Sequence, residues 1–171
     1  MKIYIRNTAI LLFLVLSCNV GSAQKMNRKK IKEARKTEKI ALIDSLVSNK
    51  IYSFEAQSAQ PMGFRNINLS SLYSVDFNGD SVRISLPYFG RAYSSAGYGE
   101  DGGINLDSIS DYKMTKKDNN MFHITFTGKD EHNEYNFILS SSAEGFASLG
   151  LTITNKSQIS FQGVIRPLRN K

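Results

Sequence analysis

The chain has 171 residues, with 22 lysine and arginine residues against 15 aspartate and glutamate residues, and its only cysteine is Cys18. A single cysteine excludes an internal disulfide and a zinc site built from several thiolates. The excess of positive charge does not indicate nucleic-acid binding, because nine basic residues lie between Lys25 and Lys50 and residues 51–171 carry 11 basic against 12 acidic residues.

The N-terminus has the features of an export signal at residues 1–23. Basic residues precede an apolar run at residues 9–16, and small residues at 21–23 provide a cleavage site. Two processing routes remain open. Either the peptide is removed after residue 23, or Val15–Cys18 is a lipoprotein box and Cys18 carries a lipid. Both routes export the protein.

Residues 24–50 predict one helix with two different halves, because the segment contains neither glycine nor proline. The later half has an apolar stripe at helical spacing, formed by Ile40, Ile43 and Val47 and widened by Leu42 and Leu46. The earlier half is basic. Either Lys25–Lys39 contacts anionic lipid or an acidic partner at the membrane periphery, or it is a solvated spacer before the packed turns.

From residue 51 the apolar period changes from 3.6 to 2, which is typical of antiparallel strands with one wet face. Seven alternating sets follow one another: Tyr52/Phe54/Ala56, Tyr73/Val75/Phe77, Val82/Ile84/Leu86, Phe122/Ile124/Phe126, Tyr135/Phe137/Leu139, Leu149/Leu151/Ile153 and Ile159/Phe161/Ile165. Tyr112 and Met114 mark a weaker strand, and Asn78-Gly79 predicts a hairpin turn.

These patterns predict a mainly β protein with one N-terminal helix. Seven to eight antiparallel strands in residues 51–171 need a barrel or a two-layer sandwich to bury their apolar faces, and the helix would pack over an end or edge. Residues 57–71 are ambiguous between a short strand and a loop. Residues 87–110 lack a period and predict a long loop, and such loops are often functional.

The long loop concentrates the candidate ligand-binding side chains, which are Tyr88, Phe89, Arg91, Tyr93 and Tyr98. Aromatic rings at the mouth of a barrel or sandwich can stack on sugars or apolar ligands, and an arginine can hold a carboxylate or phosphate. The alternative is structural, with Tyr88 and Phe89 closing the end of the core.

The remaining polar residues give no sign of a catalytic, metal or cofactor site. His123 is predicted on the wet face of a strand and His132 in a turn, and neither has a second histidine at a ligand spacing. No nucleophile-elbow, metalloprotease or Ser-x-x-Lys motif occurs. We therefore expect no metal, no cofactor and no enzymatic activity.

The stretch Leu86-Pro87-Tyr88-Phe89-Gly90-Arg91-Ala92-Tyr93 resembles the bacterial exported proteins grouped as domain of unknown function 4251. The export signal, the charged helix, the strand at residues 52–56 and the segment at residues 158–165 agree with this resemblance. It implies a small secreted or lipid-anchored β-rich protein of the bacterial periplasm or cell surface. It implies no activity and no catalytic residue.

Three functions remain open at this point. The leading expectation is a non-catalytic binding or accessory module of the cell envelope, with a small ligand or an envelope partner. The second is a structural or interaction protein that docks through its basic helix. The third is a hydrolase whose site the sequence does not reveal.

Overall fold

The computed structural model describes residues 28–89, 103–154 and 156–169. The predicted export signal and the candidate residues Arg91, Tyr93 and Tyr98 lie outside this part of the chain. The chain divides into two compact units, Met1–Lys39 and Ile40–Lys171. In the first unit, residues 28–39 are helical and all are exposed.

The helix continues to residue 48, and its last turns belong to the second unit. Ile43 and Val47 are buried in the core, and Leu46 packs partly against it. Leu42, predicted to widen the same stripe, is instead 47% exposed. The reason is angular, since a helix turns about 100° per residue and Leu42 therefore lies that far around the axis from Ile43.

Nine antiparallel strands form one sheet in the described part of the chain, in the order β4-β3-β2-β1-β9-β8-β7-β6-β5. The strands are β1 (Ile51–Pro61), β2 (Ile67–Asn78), β3 (Ser81–Leu86), β4 (Ile104–Leu106), β5 (Ser110–Lys117), β6 (Met121–Lys129), β7 (Glu134–Ser141), β8 (Phe146–Ile153) and β9 (Ile159–Arg166). The predicted class, mainly antiparallel β with one helix, is confirmed.

The sheet exceeds the predicted seven to eight strands because β4 lies inside the segment predicted as a loop, residues 87–110. Three residues are too few to display a clear alternation, so this strand was not predictable from the pattern. The ambiguous residues 57–71 are mostly strand, since β1 extends to Pro61 and β2 begins at Ile67.

The sheet curls into a half-barrel. Contacts through the core between strands that are far apart in the sheet order show this curl. Tyr112 on β5 lies 5.6 Å from Phe77 on β2, measured between ring centroids. Its hydroxyl lies 3.4 Å from that of Tyr52 on β1. The rings of Phe77 and Phe126 pack edge to face at 5.3 Å, which joins β2 to β6. The curled sheet buries, around these aromatic rings, the apolar face that the alternating sequence pattern predicted.

The two ends of the curled sheet are different, and we name them the helix end and the loop end. The helix end holds the β2–β3, β5–β6 and β7–β8 turns. There the Gly79 N–H donates to the Lys50 carbonyl at 2.9 Å, and Lys116 Nζ lies 2.5 Å from Asp44. The hairpin predicted at Asn78-Gly79 is present, but its two-residue loop is Gly79-Asp80, with Gly79 at φ of 62° in the first position. The loop end, at the opposite ends of the same strands, holds residues 87–89.

A hydrogen-bonded turn joins β6 to β7 around the Asp130 carboxylate. The Tyr135 hydroxyl donates to Oδ2 at 2.5 Å, and the backbone N–H groups of His132 and Asn133 each donate to Oδ1 at 2.7 Å. Burial by itself would raise the pKa of Asp130, but the hydrogen bonds together lower it by more. The pKa of Asp130 is therefore about 2 in place of 3.8.

We therefore expect the free energy of unfolding to fall as the pH drops from about 4 to about 2. The folded-state pKa of Asp130 lies below the unfolded value, so its stabilisation is complete above the unfolded pKa and is lost as the carboxylate becomes protonated. Because this carboxylate is largely exposed, we expect its contribution to the free energy of unfolding to be less than about 1 kcal/mol. Urea unfolding at several pH values measures the effect.

The Asp130→Asn variant should lose this part of the pH dependence. Asp118→Asn is the matched control, since the Asp118 carboxylate makes no hydrogen bond with any described residue. An unchanged acid dependence in Asp130→Asn would assign the effect to other carboxylates.

Candidate functional site

Two of the five predicted site residues are described, and both follow β3 at the loop end. Tyr88 packs partly against the core, and its hydroxyl donates to the Ser157 carbonyl at 2.8 Å. Lys156 Nζ lies 5.2 Å from the centroid of the Tyr88 ring. Phe89 is 40% exposed. Tyr88 therefore connects the end of β3 to the β8–β9 turn, while Phe89 presents apolar surface to solvent. A ligand role for either residue stays a prediction.

A second feature, which the sequence did not predict, is a groove of about 920 Å³ on the outer face of β1, β2 and β3. We call it the outer groove. Ten of its thirteen lining residues are polar or charged, and the full lining consists of Ser53, Glu55, Leu72, Ser74, Asp76, Asn78, Ser81, Val82, Arg83, Ser85, Asp107, Leu168 and Arg169. The volume lies within the range of about 300–1,000 Å³ that is usual for ligand pockets.

The floor of the outer groove is set by strand register. Ser53 on β1 pairs with Asp76 on β2, and Asp76 pairs with Arg83 on β3, so these three side chains form one row across the outer face. The Ser53 hydroxyl donates to Asp76 Oδ1 at 2.5 Å. Ser53 is only 4% exposed although it lies on an outer face. The row is therefore held rigidly by the ladder beneath it.

The residues after β9 form one wall of the outer groove. Arg166 Nε lies 3.0 Å from one Glu55 carboxylate oxygen, and an Arg169 guanidinium nitrogen lies 2.9 Å from the other. The Glu55 side chain is 11% exposed, while both arginines stay more than half exposed. Two guanidinium groups thus neutralise one nearly buried carboxylate and hold residues 168 and 169 beside the floor.

Charges in the outer groove remain available to a ligand. Arg83 and Asp107 are exposed, and neither makes a hydrogen bond or ion pair with any described residue. The one hydrogen bond that joins Asp76 to a described side chain is at Oδ1, which leaves Oδ2 as an acceptor. The groove therefore presents Arg83 and Asp76 on strands, and Asp107 in the bend that follows β4.

The sequence did not predict the charged row of this floor. The hairpin is centred on Gly79-Asp80 and pairs Asp76 with Arg83, whereas the predicted turn at Asn78-Gly79 would have placed Asp76 opposite Ser81. The wall was not predictable, because only the tertiary structure shows that residues 168 and 169 return over β1.

Other chemistries are not assembled in the described ranges. His123 Nδ1 lies 3.2 Å from the Ser140 hydroxyl across β6 and β7, and His132 lies in the β6–β7 turn. Within residues 28–89, 103–154 and 156–169, no three histidine, aspartate or glutamate side chains are grouped as metal ligands. None of the helical residues described there forms a segment long and apolar enough to cross a membrane.

Comparison with known proteins identifies relatives by family and by fold. A family model described as "Domain of unknown function (DUF4251)" matches residues 34–165. The chain is also similar to the crystal structure of a DUF4251 family protein from Bacteroides eggerthii, with a TM-score of 0.56 and 15% sequence identity, covering 72% of this chain and 83% of that chain. At this identity the likeness shows the fold alone. No curated protein matches the chain.

Proposed function

The chain belongs to the DUF4251 family of unknown function, and we propose that it is an exported, non-catalytic binding module of the bacterial cell envelope whose ligand site is the outer groove. The observation that carries the proposal is that Arg83 and Asp107, which line the groove, have no hydrogen-bond or ion-pair partner among the described residues. Charged groups that no described side chain neutralises are suited to bind a ligand from solution.

Export is supported by the signal-like residues 1–23, and an envelope location by the resemblance to bacterial exported proteins. The five candidate residues of the sequence analysis, Tyr88, Phe89, Arg91, Tyr93 and Tyr98, remain a second predicted ligand surface, and the structure describes only Tyr88 and Phe89 of them. They differ from the outer groove in chemistry, because they offer aromatic stacking while the groove offers hydrogen bonds.

The proposal is tested by ligand-induced thermal shifts of the chain lacking residues 1–23. The probes are neutral oligosaccharides, uncharged peptides, a polyanion and a fatty acid. We expect saturable binding of one class, weakened about tenfold or more by Arg83→Ala, because a hydrogen bond to a charged group contributes about 1.5–3 kcal/mol. Lys113→Ala is the matched control, since Lys113 is an exposed cation on β5 outside the groove.

Three outcomes would contradict parts of the proposal. Binding that is equally strong in Arg83→Ala and in wild type would place the ligand elsewhere. Chemical conversion of a bound probe, detected by mass spectrometry, would make the protein an enzyme. Absence of binding by every probe class would remove the binding function.

A second candidate, docking through the basic helix, is favoured by the exposure of all helical residues from 28 to 39. Seven of these twelve residues are basic and two are acidic. A variant lacking residues 25–39 is tested for binding to anionic and to neutral vesicles and for binding to the same probes. Loss of vesicle binding together with retained probe binding would assign membrane contact to the helix and ligand binding to the β domain.

A further inference from the structure

We infer that the ligand of the outer groove is a neutral, hydroxyl-rich molecule, namely a saccharide. This inference rests on the proposed function and specifies the ligand class of the same site. Three properties of the groove carry it: the backbone of its floor, its balance of charge, and the kinds of side chain that line it.

The floor of the groove is the face of a sheet, so recognition must come from side chains. β1 is hydrogen-bonded to β2 on one side and to β9 on the other, and β2 lies between β1 and β3. The backbone N–H and C=O groups of Ser53 and Asp76, in the middle of the floor, are therefore used by the ladders on both sides. An extended peptide binds most readily by adding a strand to a free sheet edge, which the face of a sheet does not offer.

The charges of the groove are nearly balanced. The unpaired charges that line it are the carboxylates of Asp76 and Asp107 and the guanidinium of Arg83, and Glu55 is already paired with Arg166 and Arg169. A polyanion needs a clear excess of cations, and a polycation needs a clear excess of unpaired carboxylates. Neither excess is present among the described lining residues, so the groove suits an uncharged ligand.

The lining side chains match hydroxyl groups. Each saccharide hydroxyl can donate to a carboxylate such as Asp107 and accept from a guanidinium such as Arg83. The serines of the floor add groups that both donate and accept. Leu72, which is 57% exposed, and Leu168 provide apolar surface on which the C–H faces of a sugar ring can pack.

The experiment is isothermal titration of the chain lacking residues 1–23 with three probe sets. These are neutral tetrasaccharides with α- and β-linked hexoses or N-acetylhexosamines, uncharged peptides of similar mass, and heparin. We expect saturable binding of at least one tetrasaccharide, weakened about tenfold or more by Arg83→Ala and by Asp107→Asn, and unchanged by Lys113→Ala. Because the ligand is neutral, its affinity should change less than about twofold when the salt concentration rises tenfold.

Each of the other possible results would overturn the saccharide inference, the proposed site or both. Peptide or heparin binding that Arg83→Ala weakens would overturn the saccharide class but keep the groove as a binding site. Tetrasaccharide binding that neither groove variant changes would overturn the inference and the proposed site together. No groove-dependent binding of any probe would overturn both the inference and the proposed function. Circular dichroism of each variant establishes that it is folded.

Discussion

Replacing Gly163 by alanine should prevent normal pairing of β1 with β9 and remove a large share of the stability of the β domain. Gly163 pairs with Ala56 beside an irregularity of the β1 ladder. A Cβ at this position would overlap the Glu55 carbonyl oxygen, lie 2.9 Å from the Glu55 carbonyl carbon and lie 3.0 Å from the Phe54 ring. Since the clash is with backbone, no change of rotamer relieves it. We expect a loss of at least about 4 kcal/mol, a large share of a domain's typical 5–15 kcal/mol.

Urea unfolding monitored by circular dichroism measures this loss, and Gly150→Ala is the matched control. Gly150 also lies within a strand, but a Cβ there would meet nothing closer than 3.8 Å. We expect Gly150→Ala to change the free energy of unfolding by no more than about 1 kcal/mol. Wild-type stability in Gly163→Ala would mean that β1 and β9 are farther apart than described.

Truncating Phe126 to alanine should have the second largest effect, because Phe126 lies at the centre of the curl. Its ring is 1% exposed, stacks on Phe137 at 4.6 Å and meets Phe77 edge to face. Truncation removes contacts that join β6 to both β7 and β2. Large buried aromatic residues typically cost about 3–5 kcal/mol when truncated to alanine, and we expect a value in this range.

Phe146→Ala is the control for Phe126→Ala, since Phe146 begins β8 and is 60% exposed. We expect it to cost less than about 1 kcal/mol in the same unfolding experiment. Equal losses in the two variants would contradict the placement of Phe126 at the centre of the core.

The strand pattern was predictable because each strand buries one face. In β3, β6, β7 and β8 every second residue is buried, as the alternating sets indicated. The pattern was weaker where burial is incomplete. Tyr112 is only partly buried and Met114 is exposed, because β5 is an edge strand that packs through one ring.

The candidate site was less predictable than the fold. Ser53, Asp76 and Arg83 occupy outward positions of their strands. The sequence alone does not distinguish them from other polar residues on the solvent-facing side of a strand. What distinguishes these residues is the return of Leu168 and Arg169 over β1, fixed by the pairing of Glu55 with two arginines. That contact joins positions more than a hundred residues apart, and no local pattern encodes it.

The most direct test of the central claim, that the outer groove is the ligand site, is a titration of the ¹⁵N-labelled protein with the best-binding tetrasaccharide, followed by NMR. We expect amide shift changes to concentrate at Ser74, Asp76, Arg83 and Ser85, with the amides of Tyr88 and Ser157 unaffected. Changes concentrated at Tyr88 and Phe89, with the groove amides unchanged, would contradict it and move the site to the loop end.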